Sequence, residues 1–212
     1  NFSANLGVTP PSFVVPAPPI FNFMSGDGDV IVVAGETNET FGGLDDDMMF
    51  VTGKSNALDG GESNDLLVAV GQSNTLTGDG GDDLLASAGS DNTLDGGDGS
   101  DMMMAIGTSN TITGGAGDDL AIVAGSSNSI TGDDGNDVVL AVGLSNQIDG
   151  GAGDDVIIAA GIANPLVGEE DRNILTGGDG DDIVVSAGFG NYIYGDAGDD
   201  TLISIGAANL IN

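Results

Sequence analysis

Residues 114–131 read GGAGDDLAIVAGSSNSIT, and Gly132 opens a new copy of the same pattern. Working outward, Gly35, Gly53, Gly71, Gly89, Gly107, Gly125, Gly143 and Gly161 recur every 18 residues, and Gly188 and Gly206 resume the spacing after one gap of 27. A period this short marks a solenoid in which each repeat is one coil stacked on the last. Ten coils follow one another, and each divides into two nine-residue halves of different chemistry. The first half reads Gly-Gly-x-Gly-x-Asp before an apolar strand, as in GGAGDDVII (150–158) and GGDGDDIVV (177–185). The second reads Gly-x-x-Asn-x-aliphatic-x, as in GTSNTIT (107–113).

The sixth position of the first half is always Asp: Asp29, Asp47, Asp65, Asp83, Asp101, Asp119, Asp137, Asp155, Asp182 and Asp200. The matching position of the second half is always Asn: Asn38, Asn56, Asn74, Asn92, Asn110, Asn128, Asn146, Asn164 or Asn173, Asn191 and Asn209. Carboxylates stacked about 4.8 Å apart on neighbouring strands repel unless a cation lies between them. Ligands that are all oxygen suit a hard ion with six to eight bonds, which favours Ca²⁺ over Mg²⁺ and over any soft metal. The Asn column needs no metal, because an amide both donates to and accepts from the same amide one coil away.

Composition agrees. Of 34 acidic residues 29 are Asp, the only bases are Lys54 and Arg172, and the formal charge is -32. So acidic a chain repels nucleic acid and anionic membrane. Without His or Cys it has no Ser-His-Asp or Cys-His constellation, zinc site of the usual kind or disulfide, and the chain is expected not to be an enzyme. No apolar run approaches the roughly 20 residues of a membrane span, so no membrane insertion is expected. Yet 40% of the residues are apolar, too many for a disordered acidic coil. The first residue is Asn1 rather than Met, which suggests a chain processed or cut from something longer.

Over about residues 24–212 these motifs resemble the RTX family of calcium-binding nonapeptide repeats. The resemblance implies an all-β fold, a right-handed parallel β-roll (β-solenoid) of about ten 18-residue coils. In that pattern the sixth-position Asp residues are the side-chain ligands. Carbonyls of the second to fourth turn positions complete the shell, the fourth being Gly99, Gly117, Gly135, Gly153, Gly180 and Gly198 in the regular turns. Ten turns leave nine gaps, so about 8 to 9 Ca²⁺ ions are expected, and nine would bring the charge from -32 to about -14. The first two turns, MSGDGD and GGLDDD, depart from the consensus. Replacing the second Asp turn by Asn makes the roll one-sided, similar to the calcium-dependent antifreeze segment of a large bacterial adhesin.

The two strand sets differ. After each Asn a single aliphatic residue stands between mostly polar neighbours, as in Thr111-Ile112-Thr113, which gives a wet outer face. After each Asp the strands read DVIVVAG, DLLVAVG, DMMMAIG or DVVLAVG, apolar on both faces as in parallel strands covered on both sides. With Ile31, Leu67, Met103, Val139 and Ile157 in the core, the columns of Met102, Met104, Leu140 and Ile158, with Val70, Ile106 and Val142 beside them, point outward. Residues 1–23 hold five of the six prolines and four of the seven phenylalanines, and are expected to form an extended arm that caps the first coil or lies on a neighbouring copy. The surplus residues near 162–172 form either a surface bulge or a half-coil that moves Asp182 and Asp200 to the opposite edge.

The leading functional expectation is an extracellular or cell-surface structural protein, exported by a bacterial-type route and stabilised by calcium. It would self-assemble through the apolar face and the arm into a homopolymer: a filament, surface layer or matrix. The alternative is a passive module of a larger secreted enzyme or adhesin. A third is ice binding by rows such as Thr75, Thr77, Thr93, Thr111, Thr113 and Thr131, although Asp59, Asp95, Gln147 and Asp149 break them.

Overall fold

The computed structural model describes residues 28–162 and 173–212 and, for the backbone, 13–16 and 21–23. Described residues contain twenty-two strands and no helix. The strands form two parallel sheets of eleven, odd-numbered strands in one and even-numbered in the other, as in a solenoid that contributes one strand to each sheet per coil. We call them the Asp sheet and the Asn sheet, after the turn that precedes each strand.

The core lies between the sheets. Each Asp-sheet strand from Val30–Glu36 to Ile183–Phe189 buries two alternate residues, such as Met103 with Ala105 and Val139 with Ala141, and the Asn-sheet strands from Ala57–Glu62 to Tyr192–Ala197 each bury one aliphatic, such as Leu94, Ile112 and Ile130. Ile31, Leu67, Met103, Val139 and Ile157 are buried as their spacing requires, and their neighbours in sequence point away. The recurring glycine that defines the period closes each strand against the coil before it. At Gly107, φ is +139°, and a Cβ there would collide with the carbonyl of Gly89. Glycine alone tolerates both the dihedral and the approach.

The arm is not separate from the roll where it is described. Phe13–Pro16 pairs with Val30–Glu36, Phe13 opposite Ile31, and Phe21–Phe23 pairs with Glu39–Gly43, Phe21 opposite Glu39. Both registers are 18 residues, so these segments form an eleventh coil that caps this chain's own first one. Beyond the 27-residue gap the register continues: Val156 pairs with Ile183 and Gln147 with Ile174. Asn173 takes the ladder position, and Asp182 and Asp200 stay in the Asp column rather than moving to the other edge. The bulge expected near 162–172 lies mostly outside the described residues, as does Asn164.

Candidate metal centre

The sixth-position Asp residues form one continuous buried column. Each backbone N–H donates to Oδ1 of the Asp one coil further on, from Asp29 to Asp47 at 2.6 Å, Asp101 to Asp119 at 2.7 Å and Asp155 to Asp182 at 2.9 Å, through to Asp182 and Asp200 at 3.1 Å. The irregular first two turns join it as fully as the others. This uses one carboxylate oxygen. The other, Oδ2, is buried without any hydrogen-bond partner in Asp65, Asp83, Asp101, Asp119, Asp137, Asp155 and Asp182. It faces inward across its own turn: a Cβ built on Gly114 would meet Oδ2 of Asp119 and the carbonyl of Gly132 in the next coil. The first glycine of the turn thus keeps a carboxylate oxygen and a carbonyl oxygen in the same small space.

The Asn column, buried to the same degree, is satisfied along its length except at Asn38 Oδ1 and Asn191 Nδ2, near its two ends. Asn128 Oδ1 accepts from both the N–H and the Nδ2 of Asn110 (2.9 and 3.1 Å), while its own Nδ2 reaches Asn146 Oδ1 at 3.0 Å and the Gly107 carbonyl at 3.4 Å. An amide ladder closes on itself; a carboxylate ladder has acceptors left over and no donors. Burying an unpaired carboxylate is costly, and this shows in the acidities. Burial pushes Asp119 and Asp65 up to about 7, and Asp83 and Asp155 to about 6. The N–H bond from the preceding Asp offsets part of the rise, and the charges of the flanking Asp residues add to it. A proton or a cation must serve the orphaned oxygens.

A hard cation fits this donor set, which holds carboxylate and carbonyl oxygen with no nitrogen or sulfur ligand. Among the described residues no three His, Cys, Asp or Glu side chains converge on one point. An ion here therefore takes most of its shell from backbone carbonyls and water. The carbonyls of Gly99, Gly117, Gly135, Gly153 and Gly180 point along the solenoid axis, each at the equivalent glycine of the next coil; Gly198 has the same place in the tenth turn. Third-position carbonyls are already engaged, as Ala116 O accepts from the Gly99 N–H and Asp134 O from that of Gly117. The ion would supply positive charge to the carboxylates and tie successive turns together.

Two acidic features escape the motif. Fifth-position residues form a second, exposed ladder of opposite polarity: Asp82 N donates to Asn64 Oδ1, and Ser100 N to Asp82 Oδ1. On the Asn sheet, Asp59 is raised to about 6 by burial and by the charge of Asp79, and Asp95 and Asp149 are raised chiefly by burial.

The family model for the RTX calcium-binding nonapeptide repeat matches residues 41–76, 68–103, 106–139, 143–161, 162–193 and 188–204. Searches of the curated proteins and of the solved structures return no match.

Proposed function

The chain belongs to the RTX calcium-binding nonapeptide repeat family, and from that premise we propose that it is a secreted structural protein, folded by calcium and self-associating through the outer face of the Asp sheet. The observation that carries this reading is the chemistry of that face. Each of the ten Asp-sheet strands from Val30–Glu36 to Thr201–Ala207 turns three residues outward, at the registers of Met102, Met104 and Ile106, and none of the thirty is charged. Twenty-eight are aliphatic, Met or Phe, and the other two are Thr52 and Thr201. On a chain of charge -32, keeping thirty surface positions free of Asp and Glu is a strong constraint on sequence. Ten strands at about 4.8 Å make a strip about 48 Å long and roughly 15 Å wide, larger than the apolar patches monomers usually expose. Among the described residues nothing covers it, and Val70, Met102, Ile106 and Val142 stand exposed.

Calcium and export fit one scheme. In a calcium-poor cytosol the Asp column would hold the chain open for passage through a type I channel, and millimolar calcium outside would fold it. The reading assigns no catalysis. Its test is sedimentation velocity of the chain in millimolar calcium beside a Met104→Lys/Leu140→Lys variant. The parent is expected to associate and the folded variant to run as a monomer; a monomeric parent overturns the reading in favour of a passive module.

A further inference from the structure

The fifth residue of each Asp-sheet strand forms a comb. Along the coils this column reads Ala34, Thr52, Val70, Ala88, Ile106, Ala124, Val142, Ala160, Ala187 and Ile205. From Val70 to Ala160 large and small residues alternate, so knobs recur every second coil, about 9.6 Å apart. The knobs stand well out of the sheet: Val70 is 50% exposed, Ile106 52%, Val142 61% and Ile205 63%. A comb of this kind fits a copy of itself displaced by an odd number of coils.

We propose, resting on the self-association above, that the partner of this face is a second copy turned antiparallel. Its two-fold axis would run along the strands between Met102–Thr108 and Leu120–Ser126. That axis sets Ile106 against Ala124, Val142 against Ala88 and Val70 against Ala160. At the ends it sets Ile205 against Ala34 and Thr52 against Ala187, so no two large residues of the column meet. Moving the axis by one coil toward the C-terminus puts Val70 on Ile205 and leaves Ala88 over Ala187, a clash and a void. A parallel two-fold lays this column on the first outward column of the partner, with Ile106 on Met102 and Val70 on Leu66, large on large. The antiparallel register also overlaps all ten strands from Val30–Glu36 to Thr201–Ala207, burying about 700 Å² per copy, which matches a standard stable interface.

The exposed fifth-position turn residues on the rim follow the same alternation. The same axis faces Asp82 with Asn136, Asp118 with Ser100, Asp154 with Asn64 and Asp199 with Gly28; Asp46 and Asp181 alone oppose as like charges. Acidic rims can then approach without matching charge against charge.

The chain has no cysteine, so engineered thiols report the register. Val142→Cys and Ala88→Cys, and separately Ile205→Cys and Ala34→Cys, are made as single variants and shown by circular dichroism to fold in millimolar calcium. Each is treated with a short bismaleimide alone and mixed with its mate. Both mixtures are expected to yield covalent dimers, and Val142→Cys or Ala88→Cys alone almost none, because like residues lie three coils, about 14 Å, apart across the axis. Association of the parent with no mixed cross-link, or with Val142→Cys linking to itself, overturns the register and leaves the self-association standing. A monomeric parent by sedimentation overturns both.

Discussion

Asn128→Ala removes four hydrogen bonds from the interior. The Asn110 N–H loses its acceptor outright, whereas Asn110 Nδ2 keeps the Gly89 carbonyl at 3.5 Å and Asn146 Oδ1 keeps the N–H of residue 128 at 3.1 Å. One orphaned buried donor costs about 1–3 kcal/mol, and weakening the others adds about 0.5–1.5 kcal/mol each. With part recovered from no longer burying an amide, the net loss is about 3–5 kcal/mol. The number of bound calcium ions should not change. Asp119→Ala orphans one buried donor too, the Asp101 N–H, but the carboxylate it removes also carried an oxygen with no partner in the chain. That variant should therefore lose calcium from the gaps on either side of residue 119 and be destabilised chiefly in saturating calcium. Calorimetric titration counts the ions, and denaturant unfolding in saturating calcium measures the stabilities. Equal loss of calcium from the two variants, or a cost below about 1 kcal/mol for Asn128→Ala, would refute the division of labour between the columns.

Acid should substitute for calcium. The carboxyls of Asp65, Asp83, Asp119 and Asp155 are raised on folding by burial to about 6 to 7, so their contribution to the metal-free roll is fully present below the ordinary value near 3.8 and lost as pH rises through 6 to 7. In chelator, circular dichroism should gain strand signal as pH falls from 8 to about 4, while calcium affinity, which needs the deprotonated oxygens, declines over the same window; an unchanging spectrum would contradict this. Gly107→Ala should destabilise the roll by about 2 kcal/mol or more, because a Cβ meets the Gly89 carbonyl at a left-handed φ, and a denaturation midpoint equal to the parent's would disprove that constraint.

The architecture was legible because the period is written in residues that cannot be exchanged. Glycines such as Gly107 mark backbone contact between coils, and the aliphatic at Ile112 or Met103 marks the core. The Asp and Asn columns were equally visible, since a stacked side chain must be repeated to pair with itself. The capping coil was harder to see. Phe13–Pro16 and Phe21–Phe23 keep the 18-residue register of FVVP on IVVA and FNF on ETF, but no glycine-aspartate turn joins them, and their prolines argued for a separate arm. The second acidic ladder was hidden because residues such as Asp82 and Asp118 are exposed and look like ordinary solvated charges. So were the left-handed residues that precede Asn residues of the ladder among the described residues. Ser109 and Ser127 hold φ near +57° and +59° without being glycine, in a turn whose following Asn is locked by the ladder on either side.

Seven buried carboxylate oxygens without partners call for a cation at neutral pH, and the most direct test of calcium in that role is far-ultraviolet circular dichroism at neutral pH. The chain is taken first in excess chelator and then titrated with calcium to millimolar concentration, with magnesium as the comparison. A disordered spectrum is expected in chelator, with a cooperative rise of strand signal on adding calcium and little response to the same concentration of magnesium. A full strand spectrum in chelator at neutral pH would contradict it, because the Asp column would then be stable with nothing to neutralise it.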